Sequence, residues 1–194
     1  MIDRPHARRE AIVLAAYARL AEHGFEGLRT RDVAADAGIN IATLHYHFQT
    51  KEAVIRAVVA QAMRKFAATL PRHGTPAEQL RGHLRALRAL LREEPALCVV
   101  LGELALRAAR DPAIAAIVGE TDDFWHRTLR GLVERGVAGG CLGPHLDPDQ
   151  VASALMAALK GVALPTVAVR QPERLDQTFD QLERWLGLVE EEPR

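Results

Sequence analysis

Val33-Ala34-Ala35-Asp36-Ala37-Gly38-Ile39-Asn40-Ile41-Ala42-Thr43-Leu44 is the stretch on which the fold turns. Val33, Ala34, Ala37, Ile39 and Leu44 have the spacing of two short helices that cross steeply and bury one face between them. Ala34 and Ala37 are small enough to let the helices approach. Gly38 supplies a turn conformation that a side chain resists. Asn40 is placed to cap a helix over Ile41 to Phe48, whose free N–H groups then face outward, an end suited to a phosphate or a base edge. Many helical hairpins contain a glycine turn, so this spacing by itself does not decide the function.

Working outward, helical periodicity and an excess of Ala, Leu, Arg and Glu dominate the chain. A first helix is expected over 6–23, with Ile12, Ala15, Ala16 and Leu20 on one face and Gly24 ending it. A second is expected near 30–37, with Thr30 as its cap. Thr50 is read as the cap of a long fourth helix that ends near Pro71 and carries Val54, Ile55, Val58, Val59, Ala62, Met63 and Phe66. Thr75-Pro76-Ala77-Glu78 combines a cap, a first-turn proline and a capping-box glutamate, and Asp147-Pro148-Asp149-Gln150 repeats the logic. Further helices are expected at 76–93, 96–110, 112–136, 148–169 with a break at Pro165, and 172–190. Residues 190–194 are expected to fray.

Composition narrows the function classes. The chain has 194 residues, 48% hydrophobic and 26% charged, as expected of a soluble globular protein. No apolar stretch approaches the roughly 20 residues of a membrane span, and residues 1–10 are too polar for a secretory signal. Cys98 and Cys141 are the only cysteines, which suits a reducing cytoplasm and neither a disulfide framework nor a zinc site. The net charge is zero, but residues 1–65 carry +3 and the remainder −3. The first third is thus better suited to phosphate. The eight histidines form no His-x-x-x-His pair, and there is no nucleophile elbow, P-loop or dinucleotide fingerprint. Glu93-Glu94, Glu103 and Asp122-Asp123 read most simply as solvated faces. No enzyme, metal or cofactor is expected.

The run Thr43-Leu44-His45-Tyr46-His47-Phe48-Gln49-Thr50-Lys51 sharpens the reading. Residues from about Ile12 to Ile55 resemble the DNA-binding domain of the TetR family of bacterial regulators. The matches are Ile12, Ala15, Ala16, Gly24-Phe25, Arg31-Asp32-Val33-Ala34, Gly38-Ile39, Thr43-Leu44, Tyr46-His47-Phe48 and Lys51. Asn40 stands where the family usually has Ser, Ala42 where Gly or Pro is common, His45 where Tyr is frequent, and Arg29 where Ser or Thr often caps the second helix. The resemblance implies an all-α chain of about nine helices. A helix-turn-helix domain over 1–52 would be followed by an effector-binding and dimerisation domain over 53–194.

It further implies that Thr30, Arg31, Asn40, Ile41, Ala42, Thr43, His45, Tyr46 and Lys51 face double-stranded DNA. Lys51 would neutralise a phosphate, Arg31 would reach guanine or the backbone, and Ile41 and Ala42 would touch thymine methyls. For Lys51 and Arg31 the competing reading is an ordinary solvated charge. A His45 facing phosphate would strengthen binding on protonation.

In the last helix Leu175, Phe179, Leu182, Leu186 and Val189 recur four, three, four and three apart. This is a seam for another helix. With Val151, Leu155, Ala158, Leu159 and Val162 of the preceding helix, it implies a four-helix dimer interface of the family's kind. The alternative is a core within one chain. The family also implies a small-molecule effector. Candidate pocket residues are Met63, Phe66, Cys98, Leu101, Leu104, Phe124, Trp125, Thr128 and Met156, each more simply read as plain core. A helical binding protein with a repurposed reading head is the competing class.

Overall fold

The computed structural model describes residues 4–189, so the expected fraying of 190–194 lies outside the described residues. Among the described residues there are ten helices and no strand: α1 Arg4–Gly27, α2 Thr30–Asp36, α3 Ile41–His47, α4 Lys51–Thr69, α5 Pro76–Glu93, α6 Pro95–Ala108, α7 Pro112–Ala138, α8 Pro148–Val162, α9 Pro165–Ala168 and α10 Pro172–Trp185. The all-α expectation holds.

Local chemistry sets most boundaries. Each of α5 to α10 begins with proline, whose fixed φ suits the first helical position and whose missing N–H has no intrahelical partner there anyway. Thr75 and Glu78 form the expected capping box, and Asp147 accepts from Gln150 N at 2.9 Å. Pro165 does separate α8 from α9. The second helix corrects one expectation. Arg29 occupies the cap position with no side-chain hydrogen bond, and Thr30 is already the first helical residue. The last helix also ends earlier than expected. Gly187, at φ 67°, lets Leu188 N bond Glu183 O at 2.8 Å and Gly187 N bond Arg184 O at 3.1 Å, which closes α10.

The chain forms two compact units, one of Met1–Arg64 with Ala96–Gly119 and the other of Lys65–Pro95 with Glu120–Arg194. The first has a core of Ile12, Leu20, Phe25, Val33, Leu44, Phe48, Ile55, Val58, Val100, Leu104 and Ile117. In the second, α10 packs on α5, α8 and α9. Leu175, Phe179 and Leu182 are buried there beside Leu80, Leu84, Leu87 and Leu91 of α5. Burying those three α10 side chains contributes roughly 1.5–3 kcal/mol each. Arg88 adds ion pairs to Asp176 at 2.6 Å and Asp180 at 2.7 Å, partly solvated and worth about 1 kcal/mol or less. Apolar packing therefore dominates this contact.

That packing places most of the expected dimer residues in the chain's own core. Val151, Leu155, Val162, Leu175, Phe179, Leu182 and Leu186 are all buried within their own chain, while Ala158 and Leu159 are half-buried. The four-three seam is real, but α5 and α8 of the same chain satisfy it. Val189 is half exposed and takes no part in that core.

Candidate nucleic-acid interface

The turn between α2 and α3 is built from Gly38. At φ 65° it lets Gly38 N bond Ala35 O at 3.0 Å and Ile39 N bond Ala34 O at 3.0 Å. Two carbonyls at the end of α2 are satisfied this way, and the chain reverses sharply. A second restraint acts on α2 from α1. Arg19 forks onto Asp36, with Nε–Oδ2 at 2.6 Å and Nη2–Oδ1 at 3.2 Å, and reaches Asp32 at 3.5 Å. The fork holds the Asp36 carboxyl below its ordinary range, chiefly by hydrogen bonding.

Asn40 caps α3 as expected. Its Oδ1 accepts from Thr43 N at 2.8 Å and from the Thr43 hydroxyl at 2.9 Å. The second bond refines the role of Thr43. Its one proton is committed to the cap, so the hydroxyl offers lone pairs, and it donates to a phosphate only by leaving Asn40. Leu44 and Phe48 anchor the inner side of α3 in the core, at 0% and 3% exposure. The outer side carries Ile41, Ala42, His45 and Tyr46, all exposed. Tyr46 is 83% exposed, far more than an aromatic ring needs for packing alone. Thr50 caps α4, accepting from Ala53 N at 3.1 Å.

The expected DNA-facing residues therefore fall into two groups. Arg31, Asn40, Ile41, Ala42, His45 and Tyr46 are exposed; Thr30, Thr43 and Lys51 are half-buried. Lys51 lies with Nζ 4.7 Å from the centre of the Phe25 ring. Burial pushes its ammonium below the ordinary lysine value, with Glu26 opposing and Arg107 reinforcing the shift.

The candidate pocket residues divide between the units. Met63, Cys98, Leu101 and Leu104 belong to the first; Phe66, Phe124, Trp125, Thr128 and Met156 belong to the second. Cys98, Leu104 and Trp125 are buried, and burial pushes the Cys98 thiol up to about 11. Phe124 is 55% exposed, which corrects its place among enclosed residues: its ring lies on the outside of α7. The Thr128 hydroxyl donates to Phe124 O at 2.9 Å, a bond along its own helix.

One buried polar residue went unnoticed in the sequence. His83 is 1% exposed, stacked on Trp125 with ring centres 5.3 Å apart. The Thr69 hydroxyl donates to Phe66 O at 2.6 Å and so accepts from His83 Nδ1–H at 2.8 Å. Burial pushes the imidazole down to about 4, leaving it neutral at pH 7. The signal was its place in the Leu80, Leu84, Leu87 stripe of α5. Among the described residues no group of three His, Cys, Asp or Glu is arranged to hold a metal. None of the described helices is long and apolar enough to cross a membrane.

A short capped helix, braced on one side and exposed on the other, defines a helix-turn-helix protein of the DNA-reading class. Comparison with known proteins takes the assignment one step further. Residues 12–58 match the family model described as bacterial regulatory proteins, tetR family. Residues 76–188, more than half of the chain, match the BetI-type transcriptional repressor C-terminal model. The chain belongs to the TetR family, whose members are DNA-binding transcription regulators and not enzymes. It is 27% identical over 154 residues to the HTH-type transcriptional repressor KstR2 of Mycolicibacterium smegmatis, covering 77% of this chain and 74% of that one. A transcriptional regulator from Rhodococcus sp. Rha1 is 26% identical with a TM-score of 0.74, covering 92% of this chain and 95% of that one. A TetR regulator from Haloarcula marismortui shares the fold at a TM-score of 0.82 and 22% identity, covering 94% and 97%.

Proposed function

We propose that this chain is a repressor that binds a palindromic operator as a homodimer and is released by a small, largely apolar effector. In this reading residues 1–52 form the DNA-reading domain and residues 53–194 carry effector binding and dimerisation. The observation that carries the DNA-reading part is the outer side of α3, where Ile41, Ala42, His45 and Tyr46 stand free above a buried Leu44. Ile41 and Ala42 meet thymine methyls, Tyr46 and His45 reach the backbone or base edges, and the N-terminus of α4 with Lys51 takes a phosphate. Arg31 and Thr30 contact the flanking backbone. Acting on DNA, the protein works in the cytoplasm.

A single seven-residue helix spans too few base pairs for a unique site, and two-fold pairing resolves this by reading two half-sites about 34–36 Å apart, or a multiple of that spacing. Because the apolar seam of α8 and α10 is occupied inside the chain, the dimer face is their outer side. There Ala154, Ala157 and Gly161 of α8 are exposed and permit close approach. Trp185 of α10 and Leu164 just beyond α8 are 42% and 44% exposed. An open groove of about 350 Å³ lies along α10 at Arg174, Gln177, Thr178 and Gln181. The effector reading rests on family membership, with the neutral His83–Trp125 stack as the best-defined buried polar feature of the second unit.

Selection of duplexes from a randomised pool, followed by binding across a salt series, tests the proposal. The expected result is a palindromic site, two protomers per duplex in sedimentation, and a steep fall of affinity with salt. Monomeric protein on a non-palindromic site would reject the dimer. A small-molecule screen in which every binder leaves operator affinity unchanged would reject the effector.

A further inference from the structure

Gly24 interrupts α1 with φ 65° and ψ −172°. The break leaves the Phe25 N–H without a helical acceptor, and a residue 78 positions away provides one: Phe25 N donates to Glu103 Oε2 of α6 at 2.8 Å. The carboxylate comes so close that a Cβ added at Gly24 would meet Glu103 Oε2 at 3.1 Å. Glycine here therefore serves both the backbone and the approach of the carboxylate. One turn further along α6, on the same face, Arg107 places its guanidinium carbon 4.7 Å from the centre of the Phe25 ring. Arg107 is itself fixed by Asp111, at 3.1 Å from Nη2 and 3.2 Å from Nε, and lies 4.0 Å from Glu26. The same ring carries Lys51 Nζ at 4.7 Å. Phe25 is 8% exposed, so it is a fixed platform and not a mobile surface ring.

We propose that Glu103 and Arg107 of α6 are positioning residues for DNA binding: they fix Phe25 through its backbone and its ring, and Phe25 fixes where Lys51 holds its ammonium group. This rests on the reading of Lys51 as a phosphate contact. A flexible lysine spends rotamer freedom on reaching a phosphate. One laid against a clamped ring is ordered beforehand and partly stripped of water, and cation–π attraction holds it there. Arg107 shares the ring and repels Lys51, while Glu26 draws it more strongly.

The test is a cycle of variants on a mixed-sequence duplex. In the wild-type background Lys51→Ala should lower the slope of log affinity against log salt by ~1, a roughly 3.5-fold effect between 50 and 200 mM salt. In the Glu103→Ala background, checked for an unchanged melting profile, Lys51→Ala should lower the slope by less than half as much. Glu103→Gln, which keeps an acceptor for Phe25 N–H, should restore most of the Lys51 contribution. An equal Lys51 effect in all three backgrounds would overturn the proposal, as would a Lys51→Ala variant with the wild-type slope. Should wild-type protein bind no duplex, the DNA-reading proposal fails separately. The positioning is then read by NMR, as a ring-current shift of the Lys51 side chain that disappears in Glu103→Ala. A shift that persists would overturn it.

Discussion

Replacing Asn40 separates the folding role of the α3 cap from its role at DNA. Asn40 Oδ1 accepts two hydrogen bonds, from Thr43 N and the Thr43 hydroxyl. Asn40→Ala removes both, at a cost of about 1 kcal/mol, within the 0.5–2 kcal/mol span of cap losses. The loss matters because a seven-residue helix is far too short to persist without its caps and packing. Asn40→Asp keeps the acceptor, so stability should stay near that of the wild type. It also sets a negative charge at the N-terminal end of α3, which in the proposed mode enters the groove between the phosphate backbones. For a phosphate about 7 Å away, the repulsion is ~0.6 kcal/mol in bulk water and about four times that at an effective dielectric constant of 20. The two limits correspond to roughly threefold and sixtyfold weaker binding. Asn40→Ser, which preserves the cap without charge, should match the wild type in both respects. Urea unfolding followed by circular dichroism gives the stabilities, and fluorescence anisotropy on the selected duplex gives the affinities. An Asn40→Asp protein that binds as tightly as the wild type would refute the placement of α3 in the groove. An Asn40→Ala protein of unchanged stability would refute the cap argument.

Other outcomes follow from the same geometry. Gly38→Ala should cost about 1 kcal/mol in urea unfolding from the left-handed backbone alone, because no atom lies within 4 Å of the added Cβ; an unchanged midpoint would contradict it. Tyr46→Ala should alter stability by no more than about 0.5 kcal/mol, since the ring is 83% exposed, yet weaken duplex binding; equal affinity would remove Tyr46 from the interface. His83 gives a pH dependence of known sign. Burial holds it at about 4 in the folded chain, while the unfolded chain takes up its proton near ~6.5. Between those values the unfolded state binds more protons, so stability is intact above the upper value and is lost as pH falls through the window, by up to ~3 kcal/mol. His83→Gln should flatten that part of the stability profile, and superimposable profiles would show that His83 does not titrate on unfolding.

Much of the fold was legible because its signals are local. Gly38, Thr75-Pro76 and Asp147-Pro148 act within one turn of helix, and each boundary they mark lies where the sequence puts it; Gly24 kinks α1 as a break should, but the helix resumes and runs to Gly27. The exposed side of α3 was legible for the same reason: Leu44 and Phe48 fix the inner face, and 41, 42, 45 and 46 follow from the helical repeat. The Thr30 cap misled because Arg29, which takes the position, makes no side-chain bond to announce it. The α10 seam misled for a deeper reason. A four-three repeat reports that a face is buried but not against what, and here α5 and α8 cover it. The remaining features join residues far apart in the chain: Arg19 to Asp36, Thr69 to His83, Phe25 to Glu103. No local pattern encodes such pairs, since each partner alone reads as an ordinary charge, hydroxyl or ring.

Hydrogen exchange on the full-length protein, with and without a saturating selected duplex, tests the central claim most directly. Slowed exchange confined to the amides from Asn40 to Ala53, with the outer sides of α8 and α10 changed only by dimerisation, is the predicted result. Unchanged exchange across that segment, with protection arising elsewhere on the chain, would contradict the assignment of α3 as the element that enters the groove.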